Sequence, residues 1–223
     1  MNKYLSLLFG LPRTIWFNLR YLPLNIAIKF PIILASNVRV KNCYRGGVIL
    51  KRDKISLGMI KIGFHSVDSI DTSILNSIID IRLNSSLIFE GDAHIGIGAI
   101  LSCKGGTLKI GNNFAISGTT SILCYDSINI GDNVQLSWNT LIMDCDAHKI
   151  YLAGDKLLEN HAPINIGDRV WVASSTTILK GSAIPNNCVI GSNSLLNRKY
   201  YNEGYIIAGI PGKEIKAIER WEI

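Results

Sequence analysis

The chain is poor in charge and has no paired cysteines. Charged side chains make up 18% of its 223 residues against an apolar fraction of 48%, which excludes extensive disorder and leaves ample core for one elongated domain. Cys43, Cys103, Cys124, Cys145 and Cys188 are odd in number, widely spaced and without a CxxC pair. That pattern points to buried thiols in a reducing compartment rather than to a disulfide frame or a zinc site. The net charge of +6 comes without a Lys/Arg cluster interleaved with aromatics, so nucleic acid is not an expected partner.

Long apolar runs are also missing. The stretch from Tyr4 to Leu34 is apolar but broken by Pro12, Arg13, Asn18, Arg20, Pro23, Asn25, Lys29 and Pro31, and no run is long enough to span a bilayer. It lacks the basic segment, clean apolar run and cleavage site of a secretory signal, so a cytoplasmic protein is expected. Trp16, Phe17, Tyr21 and Phe30, with Arg13, Arg20 and Lys29, allow two compatible roles for this partly helical segment. It can close the first unit of the fold as a cap over 1–37, or touch a membrane interface, at the inner face of the plasma membrane, through residues 1–34.

What the chain does have is a period of six. Ile166, Val172, Ile178, Ile184, Ile190 and Leu196 follow one another at that spacing. The same spacing runs through Ile110, Ile116 and Ile122, slips by two residues around Tyr125 and Asp126, and resumes at Ile130, Leu136 and Ile142. Neither a helix nor an ordinary strand repeats every six residues. A coiling parallel β-solenoid does, with one aliphatic side chain per flat face pointing inward and stacked coils sharing one core. Glycines follow several of these positions, at Gly111, Gly131, Gly167 and Gly191, where the expected reason is a bend that needs glycine's dihedral freedom. Asn and Asp after them, as in Gly111-Asn112-Asn113 and Gly131-Asp132-Asn133, suit corners. The solenoid is expected over 38–218, with a short tail at 219–223.

One interruption is larger than the rest. Between Ile142 and Ile166 the chain must extrude a loop, 145–165, and this loop opens with Asp144-Cys145-Asp146-Ala147-His148. Loops on a rigid scaffold are where chemistry concentrates. Histidine, whose ordinary pKa lies near neutrality, is the natural proton acceptor there.

These motifs, with Ile166-Gly167-Asp168-Arg169-Val170-Trp171-Val172, Ile178-Leu179-Lys180-Gly181 and Ala208-Gly209-Ile210-Pro211-Gly212-Lys213, resemble the hexapeptide-repeat acyltransferases, most closely the branch that acetylates sugars of bacterial surface polysaccharides. The resemblance covers roughly residues 85–218 and implies an all-β, left-handed parallel β-helix; the left hand comes from the resemblance alone, since parallel crossovers are otherwise right-handed. It implies acetyl-CoA as cosubstrate, no metal, a homotrimer, and O-acetylation of a carbohydrate, lipid- or nucleotide-linked, in capsule, exopolysaccharide or O-antigen assembly. N-acetylation of an amino sugar or small xenobiotic, and a non-catalytic scaffold, are the alternatives.

On this resemblance His148 is the general base, with Asp144 or Asp146 orienting the imidazole, helping bind the acceptor, or simply turning the loop. Trp171 would lie beside the reacting region, with Ala173, where the family usually has glycine, next to it. Ser174 and Ser192 would follow the pantetheine arm, and Asn197, Arg198, Pro211, Lys213 and Lys216 the adenosine and phosphates, whose negative charge basic residues suit. The family's usual Asn-Pro-Ala reads Ile210-Pro211-Gly212 here. Thr119 and Trp138 are candidate acceptor contacts. His65 and His94 are expected in surface or packing roles; His161, in the loop, is expected in solvent, with contact to the acceptor as the alternative.

Overall fold

The computed structural model describes residues 3–64 and 75–222. Short strands wind around three sheets, visiting each once per turn. The first face stacks Ile32–Leu34, Ile60–Phe64, Ala93–Ile97, Phe114–Gly118, Gln135–Leu136, Trp171–Val172 and Val189–Ile190. The second runs from Val38–Lys41 to Leu195–Leu196, the third from Val48–Leu50 to Ala183–Ile184. Every pairing between successive turns is parallel. The chain is a left-handed parallel β-helix with a helical N-terminal segment and a short C-terminal cap.

The period of six becomes three columns inside this prism. Ile110, Ile130, Ile166 and Ile184 are register partners on the third face. Ile116, Leu136, Val172 and Ile190 stack on the first, and Ile122, Ile142, Ile178 and Leu196 on the second. All twelve are at most 3% exposed, so each coil buries its apolar edge only through its neighbours. The slip at Tyr125 and Asp126 is a corner between the second and third faces.

The corner glycines are present for a different reason from the one expected. Gly111, Gly131 and Gly167 do not have positive φ; the left-handed residues are Asn113, Asn133 and Arg169, two positions later. What excludes a side chain at the glycines is the next coil. A Cβ on Gly131 would meet Asp168 Oδ1 at 2.3 Å and the Gly167 carbonyl carbon at 2.8 Å. At the first two corners asparagine, which tolerates the left-handed region, leaves glycine free for the close approach; at the third Arg169 takes that conformation. The Asn/Asp residues between form a ladder along this edge: Asn112, Asp132, Asp168 and Asn186 each accept a backbone N–H from the preceding coil at 2.7–3.0 Å.

Both ends are covered. Helix Lys3–Tyr21 lies across the first coil and runs through Pro12, an exposed position where the ring leaves the Leu8 carbonyl without its intrahelical donor. Thr14 Oγ1 accepts the Leu34 N–H at 2.9 Å, while Asn18 donates to the Ile32 carbonyl at 2.7 Å and accepts the Ile32 N–H at 3.3 Å. These two buried side chains stand in for the coil that edge strand Ile32–Leu34 lacks. At the other end Tyr205–Gly209 continues the first face and Gly212–Ala217 folds back antiparallel against it. Glu214 fastens this cap by accepting from the backbone of Asn202 and Tyr201 and from the Asn202 amide, and those donors hold its carboxyl below the usual range.

Candidate active site

The interrupted corner follows strand Leu141–Met143, and the coils on either side hold its root. Asp144 is fully buried, and its two oxygens accept the backbone N–H groups of Tyr125 at 2.7 Å and Asp126 at 2.9 Å, in the corner one coil earlier. Directly beneath, the Cys124 thiol is kept neutral: its hydrogen bond with Cys103, burial and the Asp144 carboxylate all push it up. From the coil after, Lys180 pairs with Asp146 at 2.5 Å and donates to the Glu159 carbonyl at 2.6 Å. The two limbs of the loop are tied by Asp146 N–H to Asn160 O at 2.7 Å and Ala162 N–H to Asp144 O at 3.0 Å. Beyond this root a hairpin pairs Tyr151–Leu152 with Lys156–Leu157 and leaves both aliphatic and aromatic side chains in solvent.

His148 leaves the root exposed, and among the described residues it makes no hydrogen bond or ion pair. The structure does not bring Asp144 or Asp146 to its imidazole: one carboxylate is spent on two backbone donors, the other on Lys180. His161 sits between Asp126 at 3.7 Å and Glu159 at 3.4 Å and closes the second limb. His94 lies on the first face, within strand Ala93–Ile97; His65 lies outside the described residues.

A second group of the named residues gathers along the edge between the first and second faces. Thr119, Asn139, Ser175 and Asn193 share the same left-handed corner conformation on successive coils. Thr119 Oγ1 accepts the Asn139 N–H at 3.4 Å, Ser175 N–H reaches the Trp138 carbonyl at 2.8 Å, and Asn193 N–H reaches the Ser174 carbonyl at 3.1 Å. Thr119, Trp138, Ser174 and Ser192 therefore climb one ridge. Trp171 flanks it, half exposed, its indole N–H donating to Ser137 at 3.1 Å, and Ala173 is buried beside it. Asn197 and Arg198 lie higher, next to the terminal cap. Arg198 donates to the Gly212 carbonyl at 2.7 Å and lies 5.4 Å from the centre of the Tyr200 ring. Lys213 and Lys216 are exposed on the cap's outer strand, and Pro211 is at its turn.

Three residues with evident roles have no assignment from motifs. The period carries only a partial signal for Lys180: the register that stacks Met143 on Leu179 brings it to the corner where the loop begins, but not to Asp146 in particular. Ser137 carries no sequence signal. Trp221, in the tail, packs against Trp171 with ring centres 6.2 Å apart and donates to the Arg169 carbonyl at 2.7 Å, a contact only folding reveals.

A left-handed β-helix that extrudes one corner loop is the architecture of hexapeptide-repeat acyltransferases. Scanned against models of protein families, the chain matches none. It is 30% identical over 145 residues to the galactoside O-acetyltransferase of Escherichia coli K12, spanning 62% of this chain and 70% of that protein. It is 29% identical over 147 residues to the putative lipopolysaccharide biosynthesis O-acetyl transferase WbbJ of the same organism, spanning 61% and 74%. Among solved structures, the polySia specific acetyltransferase NeuO superposes with a TM-score of 0.53 over 86% of this chain and 89% of that one, at 20% identity, a likeness of fold. The chain belongs to the hexapeptide-repeat acetyltransferase family, and it is an acetyltransferase.

Proposed function

We propose that the protein transfers acetyl from acetyl-CoA to a carbohydrate hydroxyl in the assembly of a bacterial surface polysaccharide, with His148 as general base. The observation that carries this is an unpartnered, exposed histidine at the root of a loop whose two limbs are fixed from the coils before and after. A rigid root with a free imidazole suits a group that must take a proton from an incoming acceptor. The acceptor oxygen attacks the thioester carbonyl as its proton passes to His148, the tetrahedral intermediate collapses with loss of the coenzyme thiolate, and the proton is returned to that sulfur. No acyl-enzyme is needed. Asp144 and Asp146 act through the loop: they position its root and leave the imidazole free.

The ridge that carries Thr119, Trp138, Ser174 and Ser192 offers hydroxyl and indole groups beside Trp171, as an extended pantetheine arm and a sugar require. Its upper end meets Asn197, Arg198, Pro211, Lys213 and Lys216, where positive charge suits phosphate. Arg198 is partly committed to Gly212, so Lys213 and Lys216 are the freer cations. Assembly as a homotrimer fits the loop hairpin, whose Ile150, Tyr151, Leu152 and Leu157 are 44–55% exposed and would be covered by a neighbouring copy. The acetyl-ester relatives in lipopolysaccharide biosynthesis and galactoside modification favour a sugar hydroxyl.

The test is an acceptor profile with acetyl-CoA over galactosides, surface-glycan fragments and amino sugars, followed by mild base treatment of the product. Release of acetate by base marks an ester and supports the reading; a base-stable amide, formed with amino sugars alone, would replace it with N-acetylation.

A further inference from the structure

The N-terminal end of the solenoid departs from what an end cap needs. A capping element keeps a stacked core soluble by presenting a polar outer face. Helix Lys3–Tyr21 uses Gly10, Thr14, Phe17, Asn18 and Tyr21 to dock on the first coil, and its opposite side is apolar too. Leu8 is 59% and Phe9 64% exposed, with Leu5 and Trp16 on the same helix and Leu24 and Ile28 on the turn that follows. Gly10 fixes the arrangement, since a Cβ there would come within 2.1 Å of the Leu34 carbonyl oxygen.

Charge separates this end from the rest. Residues 1–52 contain nine lysines and arginines and no aspartate or glutamate, a formal +9, while residues 53–223 carry 14 basic and 17 acidic residues, a formal −3. The whole positive excess of the protein thus sits on the segment that forms the helix and the first coil. Arg20, Lys29, Arg39, Lys41 and Arg45 are exposed, and none forms an ion pair among the described residues. Exposed apolar side chains and exposed cations on the same N-terminal segment complement an anionic lipid surface: the apolar side chains enter the headgroup region and the cations meet phosphates. The helix cannot cross the bilayer, because no helix among the described residues is long and apolar enough and one side of this one is taken up by the coil.

We propose that the N-terminal end of the solenoid is a docking surface for an anionic phospholipid bilayer. The protein then stands on the membrane by the helix that covers its first coil. This placement is independent of the reading of the catalytic loop, and binding is measured without turnover.

The full-length protein is floated with vesicles of phosphatidylglycerol and phosphatidylcholine, and with phosphatidylcholine alone, at low and high salt. Co-flotation with the anionic vesicles that falls with salt is expected. Replacing Leu8 and Phe9 by Ser should weaken it about tenfold or more. Exchanging Arg20 and Lys29 for Gln should weaken it roughly fivefold per charge. All four side chains are exposed, so circular dichroism and thermal unfolding should stay as in the parent. Absence of flotation, or flotation unchanged in both variants, overturns the proposal. So does a Leu8/Phe9 variant that loses only self-association in light scattering, which would make a second copy of the chain the occupant.

Discussion

Two corners stacked one above the other between the second and third faces show how this fold admits a long insertion without disturbing its stack. At the first, the chain passes from Cys124 to Ser127 through Tyr125 and Asp126 alone. At the second, the same passage from Met143 to Ile164 takes twenty residues. The coil above returns to the short form, from Leu179 to Ala183. The long corner is anchored by its short neighbours: Asp144 reaches down to the Tyr125 and Asp126 amides, and Lys180 reaches across to Asp146 and Glu159. The lesson is that the insertion changes what the corner presents without changing what the coil stacks on, since Ile142 still meets Ile122 and Ile178 in register.

Removing the downward anchor should have the largest effect. Asp144→Ala orphans two backbone donors at a fully buried position, and charge-assisted hydrogen bonds of this kind contribute about 1.5–3 kcal/mol each, so a loss of about 3–6 kcal/mol is expected in denaturant unfolding. Asp144→Asn, which keeps one acceptor, should recover part of it. Equal stability of the alanine variant and the parent would show that the two corners are not coupled.

The upward anchor should matter less to stability and more to the loop. Lys180 and Asp146 are partly exposed, at 23% and 32%, which screens the pair, and Lys180→Met is expected to cost about 1 kcal/mol. Hydrogen exchange at the Asp146 and Ala162 amides should quicken about fivefold, and turnover should fall with coenzyme affinity kept. The matching change at an ordinary corner, Lys104→Met, removes a contact with Tyr125 and should leave turnover as it was. A fall as large as that of Lys180→Met would erase the distinction between the corners.

Acid separates the loop from the C-terminal cap. Glu214 is held below its usual pKa by Asn202 and Tyr201, so its folded value lies under its unfolded one. Its contribution is therefore complete above the unfolded pKa and is lost as pH falls through the folded pKa. Glu214→Gln should lower Tm slightly at neutral pH and leave it almost unchanged in acid, with turnover at neutral pH retained. A variant equally destabilised at both pH values would refute the carboxylate's role.

The period of six identifies twelve core side chains correctly because burial in a stacked coil is a local property repeated in sequence. It leads to the wrong cause for Gly131, whose constraint is a carboxylate neighbour 37 residues on, Asp168, rather than its own dihedrals. Asn18 interrupts an apolar stretch and looks like a break in it, yet it supplies the bonds that finish the first strand, a role created only when helix and coil meet. Asp144 shows the same limit. The motif Asp144-Cys145-Asp146-Ala147-His148 suggests a carboxylate for the imidazole, but the donors that claim Asp144 come from a corner 18 and 19 residues earlier. Trp221 and Trp171 meet across fifty residues with no periodic signal between them.

The most direct test of the account is acetyl transfer by His148→Ala beside the parent, with coenzyme binding measured in both. The account predicts that kcat/KM falls by about 10²–10⁴ while coenzyme affinity and thermal stability are retained, because the exposed imidazole has no structural partner to lose. A variant that turns over at the parental rate would contradict it and remove His148 from the reaction.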